Sequence, residues 1–152
     1  MSNKIEYISY EELLNVYAKT IANSGGGLSG IRDDGGIQSL LQFVQDDEYY
    51  PDFVYKLTYL VYGFCHGHYF LDGNKRISLT VGVYFLIKNG YYFLASNFMK
   101  EVEALIYHVA AGNIDRDLLK RALRCVVNDV DYDEELKLDI ISAMSKGLPF
   151  CD

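Results

Sequence analysis

The run from Ile77 to Ile87 constrains the fold more than any other stretch of the chain. It is predominantly apolar, about a dozen residues long, and bounded by Lys75-Arg76 before it and Lys88-Asn89-Gly90 after it. A bilayer span takes about 20 apolar residues, so this run is too short to be one. A helix that is apolar all round must be covered on every side by protein. Asn89-Gly90 makes a good helix stop, and the predicted span is Asn74 to Lys88. The rest of the chain has to wrap this element.

The wrapping segments carry helical spacing. Ser9, with Glu12 three residues on, forms a capping box, and Leu13, Leu14, Tyr17 and Ile21 continue a stripe to about residue 22. Ser24 to Gly36 is glycine-rich and is predicted to be loop. Ile37, Leu40, Leu41 and Val44 mark a second helix, and Asp46 to Asp52 closes it near Pro51. Phe53, Leu57, Leu60, Val61 and Phe64 give a third at i, i+4, i+7 and i+8. Beyond the central helix, Tyr91 to Leu94 reads as a short extended piece. Ser96 or Asn97 can cap a fifth helix carrying Val102, Leu105, Ile106 and Val109. Ala111-Gly112-Asn113 breaks it, and Asn113 or Asp115 opens a sixth with Leu118, Leu119, Ala122, Leu123 and Val126. A seventh spans Tyr132 to Lys146 with Leu136, Ile140, Ala143 and Met144 inward. There is no internal repeat, low-complexity tract or linker. The expectation is one all-α domain over residues 1–152, of about seven helices.

Composition narrows the function classes. A net charge of −7 and only 14 Lys and Arg argue against a nucleic-acid-binding surface. The late acidic cluster, Asp129 to Asp139, reads as a solvated helix start. Cys65, Cys125 and Cys151 are widely spaced with no C-x-x-C pair, so neither a zinc site nor a disulfide framework is indicated. Reduced thiols, no apolar signal region and no spanning segment lead to the expectation of a cytoplasmic protein without a membrane partner.

Immediately before the buried helix stands His68-Tyr69-Phe70-Leu71-Asp72-Gly73-Asn74-Lys75-Arg76. Taken singly, these residues have ordinary readings: a structural histidine, a turn or N-cap aspartate. Together they form a loop ending at a helix N-terminus, where free N–H groups favour anions. Asp72 offers a hard oxygen suited to Mg²⁺. Gly73 lets a ligand approach the backbone. Two cations in a first helical turn oppose the dipole by roughly 0.3–1 kcal/mol each, which makes sense if phosphates occupy that end. Phe70 is expected to anchor the loop in the core. His66 lacks a third metal ligand at suitable spacing, and His108 sits in an amphipathic stretch as a structural residue. Gly25 to Gly30 fits G-x-G-x-x-G but follows a helix rather than a strand, so the dinucleotide reading fails its context. Tyr49 and Tyr50 could dock a target peptide or pack into the core.

The nine residues resemble the H-x-F-x-[D/E]-G-N-[G/K]-R signature of the Fic/Doc proteins, and Lys75 matches the Doc (death-on-curing) branch. Ile8 to Leu13, Gly26 to Gly30, Tyr59 to Val61, Phe85 to Gly90 and Ala110 to Ile114 look similar too. The likeness covers roughly residues 5–127. Residues 128–152 extend past it, as an extra packed helix or a partner surface. The resemblance implies an all-helical Fic fold with ATP as substrate and Mg²⁺ as cofactor. It makes His68 the general base and Asp72 the metal ligand. The backbone of Gly73, Asn74 and Lys75 becomes the anion hole, and Arg76 a phosphate contact. The region of Tyr49 and Tyr50 resembles the flap that aligns the target. For the Doc branch the implied activity is transfer of the γ-phosphate to a protein hydroxyl, by the toxin of a type II toxin–antitoxin pair, with elongation factor Tu as the target. AMP transfer by the same site is the alternative, and a non-catalytic Fic-fold binding protein a third reading. Leu79 stands where many Fic enzymes carry a further arginine, which weakens the AMP reading. The inhibitory [S/T]-x-x-x-E-[G/N] motif is not found, so an inhibitor is expected as a separate antitoxin chain.

Overall fold

A computed structural model describes residues 4–23 and 30–149. Among these residues there are seven α-helices: α1 (Tyr10–Asn23), α2 (Asp34–Phe43), α3 (Phe53–His66), α4 (Asn74–Lys88), α5 (Ala95–Ala110), α6 (Arg116–Val127) and α7 (Glu134–Met144). No strand is present among them; one isolated antiparallel bridge joins Ile31 and Phe70. The protein is all-α, as the spacing predicts.

The chain wraps α4. Ile77, Ser78, Leu79, Val81, Gly82, Phe85 and Leu86 are buried on it, and α1, α3 and α5 lie against it. Gly82 is where two neighbours come closest. A Cβ there would stand 2.7 Å from the Phe98 ring and 3.0 Å from Val61, so α5 and α3 can both reach the α4 backbone only because no side chain intervenes. The apolar run leads one to expect cover on every side, but the cover is not complete: Thr80, Val83 and Tyr84 are half-buried and Ile87 is exposed, facing an open groove between α1, α4 and α5. At the C-terminal end Glu12 of α1 binds the Lys88 ammonium at 2.6 Å and accepts a hydrogen bond from the Tyr84 hydroxyl. Midway, the hydroxyls of Thr20 and Thr80 meet at 3.0 Å. These contacts fix α1 along α4.

Capping explains most helix starts. The Ser9 hydroxyl accepts the Glu12 N–H at 3.1 Å, and the Glu12 carboxylate accepts the Ser9 N–H at 2.9 Å, which completes the predicted box. Asp33, Asp52, Asp115 and Asp133 each accept an N–H from the first turn of α2, α3, α6 and α7. Lys56, fully buried, is matched by the Val44 carbonyl and the Asp47 carboxylate, both at 2.9 Å. Without such partners a buried ammonium would be strongly unfavourable.

Three local expectations are corrected. Gly35 and Gly36 belong to the first turn of α2, not to a loop, because Asp33 caps the helix ahead of them. Tyr92–Leu94 is a 3₁₀ turn rather than an extended piece. That turn runs directly into α5, which begins at Ala95 with Leu94 at the cap position, so neither Ser96 nor Asn97 caps it. The Gly25-to-Ser29 part of the glycine-rich stretch lies outside the described residues. Cys65 and Cys125 are free thiols. No helix among the described residues is long and apolar enough to cross a membrane.

Candidate active site

Helix α3 ends at His66, and the loop to α4 begins at Gly67. His68 takes a left-handed backbone conformation, φ 51°, one that histidine tolerates better than most residues. The loop is held from several directions. Phe70 is fully buried and stacks on Tyr17 of α1, centroids 4.2 Å apart and planes 14° apart. The Asn74 side chain accepts the Phe70 N–H at 3.1 Å and donates to the Phe70 carbonyl at 3.0 Å. The Tyr69 carbonyl receives the N–H groups of Arg32 and Asp33, and Leu71 N–H reaches the Gly30 carbonyl at 3.0 Å.

So held, His68, Asp72, Gly73, Asn74, Lys75 and Arg76 line one cleft of about 290 Å³. At its floor is the N-terminus of α4. The cap residue there is Gly73, left-handed at φ 81°, and no side chain caps the helix. The first backbone hydrogen bond runs from Ile77 N–H to Gly73 C=O at 2.8 Å, so the N–H groups of Asn74, Lys75 and Arg76 have no intrahelical acceptor. Where α2, α3, α6 and α7 begin with an aspartate, α4 begins with bare amides and two cations. That arrangement suits an anion.

A model of the Fic/DOC family matches residues 7–86. The chain belongs to the Fic/DOC family. "Protein kinase doc" of Escherichia phage P1 is 32% identical over 124 residues, which is 79% of this chain and 94% of that relative. The all-helical architecture agrees with this membership.

Within the Fic/DOC motif, the groups differ in how free they are. The His68 imidazole is exposed and makes no hydrogen bond or ion pair among the described residues. Gly73 is already engaged: its N–H donates to Asp72 Oδ1 at 2.8 Å. The other Asp72 oxygen, Oδ2, stands 4.0 Å from the Arg76 guanidinium. The Asn74 side chain is used by the loop, leaving only its N–H for a ligand. Among the described residues Lys75 has no carboxylate within ion-pair distance, and it lies 6.0 Å from the Tyr107 ring centroid. Among the described residues no group of three metal-ligating side chains exists. Asp72 is a single, half-exposed carboxylate, a donor set that fits Mg²⁺ carried in by nucleotide phosphates rather than caged by protein.

Several neighbours of the Fic/DOC motif escaped the sequence reading. Tyr107 of α5 borders both the motif cleft and a second, mostly apolar groove of about 470 Å³ between α1, α4 and α5, which also reaches Lys75 and Arg76. Cys65 lines the motif cleft, but burial pushes its thiol up to about 11, only partly offset by Lys75 and Ser78, which disfavours the thiolate that a nucleophile needs. His66 stacks on Tyr62 and sits 2.6 Å from the Val109 carbonyl through Nε2, tying the end of α3 to α5. His108 is buried with Nδ1 3.1 Å from the Asn113 amide. Tyr49 and Tyr50 are not brought to the motif. Tyr50 stacks on Tyr59 at 4.2 Å, and both residues border a separate cleft along α3 and α6, with Tyr55, Arg116 and Lys120. The segment paired with the motif loop is Gly30 to Asp33.

Proposed function

We propose that this protein is a Doc-like phosphotransferase that moves the γ-phosphate of ATP to a hydroxyl of a protein. The observation that carries this reading is the uncapped start of α4, with three free amides and Lys75 and Arg76 in the same cleft as His68 and Asp72. His68 accepts the proton of the incoming hydroxyl at its unprotonated ring nitrogen. The new bond forms from that oxygen to the γ-phosphorus as the bond to the β,γ-bridging oxygen breaks, and ADP leaves. The amides of Asn74, Lys75 and Arg76 hold phosphate oxygens, and the two side-chain cations balance their charge. Asp72 is the residue that would hold Mg²⁺, which when bound neutralises charge on the phosphates. Such a site works by positioning and charge stabilisation, and a placed general base adds roughly 10²–10⁴ in rate.

Lys75 supports γ-phosphate transfer over AMP transfer through its likeness to the Doc signature. Elongation factor Tu is the proposed target, a block of translation the outcome, and a separate antitoxin chain the proposed inhibitor. The test is intact-mass spectrometry of elongation factor Tu after incubation with this protein, ATP and Mg²⁺, with His68→Ala as control. A phosphate-sized gain that needs His68 is expected. An AMP-sized gain would overturn the assignment from Lys75. No gain on any substrate would favour a binding protein without turnover.

A further inference from the structure

No side-chain contact places His68. Its imidazole is exposed and makes no hydrogen bond or ion pair among the described residues. Where the ring stands is therefore decided by the backbone, which is left-handed at φ 51°. A residue with a side chain is disfavoured in that region and stays there only where its surroundings fix it. The two flanking residues supply that constraint. Gly67 caps the end of α3 before His68, and Tyr69 follows it.

Tyr69 is clamped. Cε1 of its ring faces Gly36 of α2, where a Cβ would stand 2.6 Å away, and Cε2 faces Gly67, where a Cβ would stand 2.5 Å away. The ring fits between them because both positions lack a side chain. Phe64 adds an edge-to-face contact at 5.6 Å and 83°. The Tyr69 carbonyl is held as well, by the N–H groups of Arg32 at 2.7 Å and Asp33 at 3.1 Å. The ring thus folds back over the residue two before it, and His68 is left at the apex of the turn. Burial and the Asp33 carboxylate raise the pKa of the Tyr69 hydroxyl, so it stays protonated at neutral pH and is not itself a base.

We propose that Tyr69 is the positioning residue for His68: its ring, seated between Gly36 and Gly67, fixes the turn that presents the imidazole to the incoming hydroxyl. This rests on the phosphotransferase reading. The ring carries the role and the hydroxyl does not, so Tyr69→Phe should match wild type and Tyr69→Leu should not. The test is steady-state kinetics of both variants with elongation factor Tu and ATP varied separately, together with a crystal structure of Tyr69→Leu. The expected result for Tyr69→Leu is a kcat lowered roughly ten- to hundredfold, the scale of a reacting group displaced by about 1 Å, with both KM values within about twofold and His68 out of the left-handed region. An unchanged kcat in Tyr69→Leu, an equal loss in Tyr69→Phe, or kcat and both KM values degrading together would overturn the proposal. If Tyr69→Leu does not fold, Gly36→Ala carries the same test from α2, since its methyl displaces the ring and leaves the Tyr69 side chain intact. If the wild-type protein transfers nothing, the phosphotransferase reading fails by itself. The crystal structure then decides the placement claim, and a His68 unmoved in Tyr69→Leu refutes it.

Discussion

The Asn74 side chain grips both backbone polar groups of Phe70, accepting from its N–H and donating to its carbonyl. The first residue of α4 thereby closes the loop that precedes α4, and the motif is a small ring rather than a tether. Asn74→Ala removes both hydrogen bonds from partly buried backbone. A stability loss of about 1–3 kcal/mol is expected from unsatisfied groups of this kind, read by urea unfolding. Asn74→Asp should cost more in nucleotide affinity than Asn74→Ala, because it adds a negative charge at the anion end of α4.

His68 combines a chemical position with a left-handed backbone. His68→Ala should remove 10²–10⁴ of turnover while leaving ATP affinity within a few-fold, measured by calorimetric titration. Alanine is penalised in the left-handed region by roughly 1–2 kcal/mol, and glycine is not. Thermal unfolding should therefore find His68→Gly at least as stable as His68→Ala, although both are inactive. Equal turnover in His68→Ala and wild type would end the general-base account.

Asp72 is expected to make nucleotide binding metal-dependent. Wild type should bind ATP more tightly with Mg²⁺ than in excess chelator, and Asp72→Asn should lose most of that difference. Removing the carboxylate also takes away the acceptor charge on Gly73 N–H, so a modest stability loss of about 0.5–1.5 kcal/mol should accompany it. If Asp72→Asn responded to Mg²⁺ like wild type, the metal would be held elsewhere.

Glu12 predicts an acid sensitivity. Burial raises its carboxyl pKa, but hydrogen bonds from Lys88, Tyr84 and the Ser9 N–H outweigh that and hold it down to about 2, from an ordinary 4.5. A lowered folded-state pKa means the contribution is present above pH 4.5 and is lost as pH falls from there toward 2. Glu12→Gln keeps the capping geometry and deletes the charge. It should destabilise by roughly 1–2 kcal/mol at pH 7, after allowance for solvent screening. The gap to wild type should close as the pH is lowered toward 2, followed by chemical denaturation across that range.

The helical frame was legible because its signals are local. The Ser9–Glu12 box, the spacing along α3 and the all-round apolar α4 each lie within one stretch of chain. The start of α2 was not, because Gly35-Gly36 reads as loop. What starts the helix ahead of those glycines is the Asp33 side chain, which accepts the Gly36 N–H, a local cap that the glycine-rich composition masks; that Gly36 must lack a side chain is a tertiary fact, since the Tyr69 ring would lie 2.6 Å from a Cβ there. The uncapped, cationic start of α4 was readable from Gly73 through Arg76. Proximity in sequence to the motif-bearing hairpin did not place Tyr49 and Tyr50 in the motif cleft. They precede the N-terminus of α3 and the motif follows its C-terminus, a separation of about 20 Å along 14 residues. The Gly30–Asp33 partner of the motif was invisible because a single bridge leaves no periodic trace.

Helix α4 has no polar face along its body, and that bears on how the cleft can be retuned. A helix packed against α1, α3 and α5 cannot slide or rotate by a small step without opening voids. The three amides at its start are thus positioned from the core, so the cradle offered to the proposed phosphate does not have to be assembled. Preorganisation of this kind lowers the entropic cost of binding. It also leaves the choice of which phosphate is presented to the side chains of Lys75 and Arg76.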